Sequence, residues 1–93
     1  MVIGVAGWEL EIFGCQSLKD KRRVVKSLKD RLHGRFNVSV AETGSQDLWQ
    51  RAELTACVVA ASRAQAESVL ESADRLLAGA ARARFIDRYR TFY

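Results

Sequence analysis

Between Val2 and Phe13 the even positions Val2, Ala6, Trp8, Leu10 and Ile12 are apolar while the odd ones are mixed, a period of two that predicts a half-buried strand. Gly14 to Gln16 then reads as an exit loop. From Leu18 the period changes. At about 100° per residue, Leu18, Val24, Val25, Leu28 and Leu32 fall in one sector, which predicts an amphipathic helix. Ser17 is its N-cap, with Asp20 three residues on, and Gly34 reads as the glycine just past its end. Phe36, Val38 and Val40 then point inward from a second strand, "TGSQD" is turn chemistry, and Ala52, Leu54, Ala56, Val58 and Ala60 alternate along a third. "SRAQ" opens a second helix that carries Ala66, Val69, Leu70, Ala73, Leu76 and Leu77 at helical spacing and stops at Gly79. The closing "ARARFIDRYRTFY" has the aromatic and β-branched content of an edge strand, but its alternation is blurred and assigns no register.

Strand, helix, strand, strand, helix, strand is the split βαβ pattern. Right-handed crossovers make it an α+β, ferredoxin-like fold: a four-stranded antiparallel sheet of order 4-1-3-2 with both helices on one face. Residues 1–93 form a single domain. The topology sets the first helix's start at the same end of the sheet as the hairpin between strands two and three. Lys19, Lys21 and Arg22 are therefore expected near "SQDLWQR". Strands one and three become central neighbours, with Ile3 and Val5 beside Cys57 and Val59, and Glu9 and Glu11 near Arg51 and Glu53.

Composition narrows the function classes. The chain is 48% hydrophobic and 28% charged, with no apolar run of membrane-spanning length, and Glu9 and Glu11 interrupt the start that most resembles a signal sequence. The expectation is a cytoplasmic protein without a membrane partner. Cys15 and Cys57 lack further Cys or His at ligand spacing, so no metal site and no cofactor are expected. The formal charge is +4, yet Ser17 to Arg35 alone carries eight Lys or Arg against two Asp. The basicity is local.

Lys19, Arg22, Arg23, Lys26 and Lys29 fill the face of the first helix opposite its apolar sector, as a phosphate-contacting stripe would. A solvated face aided by Lys26–Asp30 pairing accounts for the same residues. Lys21 differs, because the wheel places it among the apolar residues, where it must snorkel or meet a specific partner. Lys19, Lys21 and Arg22 also crowd the helix end where the dipole disfavours cations. Asp47, Trp49 and Arg51 follow the hairpin and would join that surface, although Leu48 or Trp49 folding over the sheet edge to close the core is the simpler reading. Arg82, Arg84, Arg88 and Arg90 either extend the basic surface or blunt an edge strand.

The outward positions of the central strands hold no aromatic residue, so base stacking in the manner of an RNA-recognition motif is not supported. Ile3, Val5, Cys57 and Val59 instead offer an apolar patch suited to protein, including a second copy of the chain. Glu9, Glu11 and Glu53 are better explained by cross-strand pairing with Arg51 than by acid–base work. His33 sits at a helix end, and no nucleophile with a spaced base is recognisable. No catalytic residue is assigned, and the chain does not read as an enzyme.

With "SLKDKRRVVKSLKDRL", "RFNVSVAE", "QDLWQRAEL" and the terminal "FY" in view, the chain resembles the YlxP-like family, small bacterial proteins with a domain of unknown function. The resemblance implies a ferredoxin-like fold and, from the translation and ribosome-maturation factors commonly encoded beside its members, association with RNA or ribosomes. It brings no catalytic residues. The resulting expectation is a non-catalytic binding protein that engages structured RNA, ribosomal RNA or a ribosomal subunit, through the first helix and the adjacent hairpin. A homodimeric or protein-binding module using the open sheet face is the alternative.

Overall fold

The computed structural model describes residues 1–93. β1 (Val2–Ile12), α1 (Leu18–Arg35), β2 (Ser39–Gly44), β3 (Arg51–Ala60), α2 (Arg63–Ala78) and β4 (Ala83–Phe92) follow the expected order. The sheet is antiparallel with order β2-β3-β1-β4, and the helices cover one face, which is the ferredoxin-like arrangement. Ala6, Trp8, Leu10 and Ile12 of β1 and Ala52, Leu54, Ala56 and Val58 of β3 supply the sheet side of the core. Val25, Leu28 and Leu32 of α1 and Leu70, Ala73 and Leu77 of α2 close it. The period-two and period-3.6 patterns thus meet in one buried cluster. No helix is long and apolar enough to cross a membrane.

The helix starts behave as their sequences require. The amide of Asp20 donates to Ser17 Oγ at 3.1 Å, and that of Gln65 to Ser62 Oγ at 3.2 Å. The end of α1 does not. It runs two residues beyond His33 to Arg35, and the capping residue is Phe36, whose N–H donates to the Leu32 carbonyl at 2.9 Å. Gly34 is therefore inside the helix, and β2 starts at Ser39 rather than at Phe36. An apolar residue half-buried against the core at Phe36 holds the last turn in place of a left-handed glycine.

β4 shows why its pattern is blurred. Asp87 lies opposite Glu9 and Phe85 opposite Leu10, so Ile86 is an extra residue with no partner on β1, a bulge. Ala83 and Phe85 face the helices on one side of it, and Arg88, Arg90 and Phe92, paired with Trp8, Ala6 and Gly4, do so on the other. Two arginines thereby point to the covered side of the sheet. Asp74 of α2 meets them: its Oδ2 accepts from Arg90 at 2.5 Å and from Arg88 at 3.4 Å, while Oδ1 accepts from the buried Trp8 indole at 2.7 Å. One carboxylate satisfies the largest core side chain and anchors the edge strand.

Gly34 has only open space where a Cβ would stand and is not in a left-handed conformation. Gly34→Ala is expected to stabilise the fold by about 0.5–1 kcal/mol, the intrinsic cost of glycine inside a helix. Urea denaturation reads this directly. No gain, or a loss, would mean that the helix ends before this residue in solution.

Candidate nucleic-acid interface

α1 lies against the sheet with Leu28, Leu32 and Val25 inward, and that orientation turns Lys21 inward as well. Its ammonium is fully enclosed, donating to Glu42 Oε2 at 2.5 Å and to the carbonyls of Ser45 and Gln46 at 2.9 and 3.4 Å. Three acceptors match the three donors of a lysine. The start of α1 does therefore meet the β2–β3 hairpin, as the topology requires, but Lys21 is a buried fastener and not a surface contact. This corrects its placement among partner-binding residues. Glu42 lies opposite Leu54 on the covered side of β2, in phase with Val40 opposite Ala56.

The rest of the hairpin also departs from expectation. Leu48 and Trp49 are both exposed, so neither closes the core. β2 extends through Thr43 and Gly44, and Ser45 takes the left-handed turn position at φ 60°. The amide of Leu48 donates to the Ser45 carbonyl, which makes the connection a tight local turn whose side chains project outward. Asp47 is exposed and has no cation in ion-pair range. Arg51 stands on the open sheet face, away from α1, with its guanidinium on Glu9 at 2.9 Å. It does not belong to a surface shared with the helix, because its odd position in β3 points away from the helical layer.

Pairing sorts the remaining cations. Arg84 is held by Glu11 at 3.1 Å, Arg88 and Arg90 by Asp74, Arg63 by Glu67 and Lys26 by Asp30 at 2.7 Å. Arg82 bonds Asp20 at 3.2 Å and the Phe13 carbonyl at 3.0 Å. The hydrogen bond from Arg82 holds the Asp20 carboxyl below the usual range, and Asp20 in turn raises Arg82. The Lys and Arg side chains without a carboxylate in range are Lys19, Arg22, Arg23, Lys29, Arg31 and Arg35, all on α1, and Arg75 of α2. Lys19, Arg22 and Arg23 are exposed, as the helical wheel requires, and Arg31 joins them. Sequence reasoning passed over Arg31. The signal was the spacing Lys19, Arg23, Ser27, Arg31, one residue every four along a single helical row.

On the open face the expected neighbours of β1 and β3 lie side by side. Ile3 is opposite Val59, Val5 opposite Cys57, Glu9 opposite Glu53 and Glu11 opposite Arg51. Tyr89 of β4 lies over Gly7, where a Cβ would collide with its ring. The open face thus does carry aromatic residues, Tyr89 and, paired with Ile3, Tyr93, delivered from the β4 side rather than by a central strand. Glu53 accepts from the Thr43 hydroxyl at 2.9 Å, and no group of His, Cys, Asp and Glu is arranged to hold a metal.

The family described as "Protein of unknown function (DUF503)" matches residues 3–90. The chain belongs to that family. It is 43% identical over 70 residues to the uncharacterized protein YlxP of Bacillus subtilis (strain 168), an alignment covering 75% of this chain and 76% of that protein. Among solved structures, a C-terminal segment of the alpha subunit of aIF2 from Pyrococcus abyssi is similar over 99% of this chain at 18% identity and a TM-score of 0.45. This chain spans 48% of that segment. A de novo designed protein with a ferredoxin fold, LFR1 1, is similar over the whole chain and 83% of its own length, at 15% identity and a TM-score of 0.42. Both likenesses concern the path of the chain alone.

The enclosed Lys21 makes a sharp stability test. Lys21→Met is expected to cost about 2–4 kcal/mol, because Glu42 and two hairpin carbonyls lose their donor. Lys21→Met with Glu42→Met should recover part of the loss in urea denaturation. A single variant as stable as the parent would show that the ammonium is solvated and the hairpin held by other contacts.

Proposed function

We propose that this protein is a non-catalytic binding protein that engages structured RNA, on a ribosomal particle, through the outward face of α1. One observation carries the reading: every unpaired Lys or Arg except Arg75 lies on this one helix, while the others are engaged by carboxylates. A cation already neutralised by a neighbouring carboxylate contributes little to displacing the counterions of a polyanion, and an unpaired one contributes fully. The arginines in the row also supply the planar fork that matches phosphate oxygens. Lys21 and Arg51 have no part in the contact. Lys26 takes part only if the polyanion displaces Asp30.

The test is binding of ribosomal RNA fragments across a salt series. Neutralising Arg22, Arg23 and Arg31 together to Gln should flatten the dependence of log affinity on log salt by about 0.7–0.9 for each phosphate that the variant no longer neutralises. Circular dichroism would verify that the helix survives. Equal affinity and slope for parent and triple variant would overturn the assignment to α1.

A second reading has its own observation. On the open face, Ile3, Val5, Cys57 and Val59 occupy adjacent register positions, and Val59, Tyr89 and Tyr93 are 62%, 58% and 75% exposed. Such a patch suits a second copy of the chain. Sedimentation equilibrium should then give a dimer that Val59→Lys dissociates, whereas a strict monomer at high concentration would remove this reading.

A further inference from the structure

The row Lys19, Arg23, Ser27, Arg31 does not border open solvent on both sides. Between it and the α2–β4 connection runs a groove of about 450 Å³, floored by Val24, Leu28, Ala80 and Ala83 and walled by Arg23, Arg31 and Arg82. Ligand-holding clefts fall in the range of roughly 300–1,000 Å³. Asp20 closes the groove beside Arg82, and because these two satisfy each other, the unbalanced charges at the rim are those of Arg23 and Arg31. The small side chains of Ser27, Ala80 and Ala81 leave the space unfilled.

Resting on the reading that α1 contacts RNA phosphates, we infer that this groove takes an unpaired nucleotide turned out of the RNA, so that the preferred ligand is looped or bulged RNA and not uniform duplex. A phosphate alone would use the guanidinium groups and leave the aliphatic floor idle. An apolar peptide would use the floor and leave Arg23 and Arg31 uncompensated. A nucleotide uses both, since its base has an apolar face that packs against aliphatic carbons or a guanidinium plane, and its phosphates carry the charge that the rim lacks. A duplex offers this rim its phosphates and the 2′-hydroxyls and base edges of its shallow minor groove but no base face for the aliphatic floor, because its bases are stacked and the deep major groove of A-form RNA is closed to side chains. The groove is also continuous with the cationic row, so one strand can lay its backbone along α1 and turn a base in beside Ser27.

Two RNA hairpins with the same stem, each closed by a non-nucleotide linker in place of a loop, test this, one fully paired and one with a single bulged 2-aminopurine. Fluorescence anisotropy with the parent protein should show the bulged hairpin bound at least about fivefold tighter, the lower end of what one stacked base contributes. The 2-aminopurine emission should change on binding. Ala81→Leu, on the α2–β4 side of the groove and outside the cationic row, fills it without altering a charge, and should bring the bulged hairpin to the affinity of the paired one while leaving paired affinity and its salt slope as in the parent. Equal affinities of the parent for the two hairpins, or a bulge preference that survives the filled groove, would overturn the inference and leave the phosphate contacts of α1 standing. Absence of binding to either hairpin at low salt would overturn both.

Discussion

The enclosed ammonium of Lys21 decides what α1 presents to the outside. Rotating the helix to free this lysine would expose Val25, Leu28 and Leu32, and would strip a donor from Glu42 and from the hairpin carbonyls of Ser45 and Gln46. Hydrophobic burial and a saturated charge therefore enforce the same helical phase. Burial alone tolerates small rotations, whereas an enclosed ion pair with two further acceptors does not. The outward row Lys19, Arg23, Ser27, Arg31 follows from that fixed phase. So does the position of the hairpin, since the ammonium reaches from the helix to the turn.

Pairing divides the molecule electrically. Glu53 and Asp87 stand without cations on the open sheet face, opposite the helical layer that carries the unpaired lysines and arginines. A polyanion approaching the protein is drawn to one side and repelled from the other. The formal charge of +4 understates this asymmetry, because much of the total is cancelled within pairs such as Arg82–Asp20 and Arg51–Glu9.

The fold was legible because its signals are local. Period-two runs in β1 and β3 and period-3.6 runs in both helices each require only near neighbours, and the two-faced elements had one way to join. Where the reading failed, the deciding partner was distant in sequence. Gly34 carries the residue type of a helix end, but Phe36 against the core holds the turn beyond it. Lys21 pointed inward by the wheel, and continuing the inward series Val38, Val40 placed a carboxylate inward at Glu42. Each parity was visible alone, and only packing unites them. Leu48 and Trp49 resembled core closure because they are large and apolar, a property that does not say which way a tight turn projects them. The groove beside α1 was not legible, since the walls come from α1 and from the α2–β4 connection, and small residues at Ser27, Ala80 and Ala81 gave no pattern.

Ile86 also bears on how the outer strand can vary among relatives. It is the residue of β4 that lies opposite nothing on β1, with Phe85 facing Leu10 and Asp87 facing Glu9. Deleting it would leave a regular ladder in which Ala83, Phe85, Arg88, Arg90 and Phe92 all keep their faces. A deletion among the regularly paired residues from Arg88 to Phe92 that left the bulge in place would flip the residues beyond it. A single-residue gap between Phe85 and Asp87 is thus neutral for burial, whereas the same gap two residues later, with the bulge kept, exchanges inside for outside. Relatives that lack the extra residue can retain the Asp74 clamp unchanged, with a straighter outer strand.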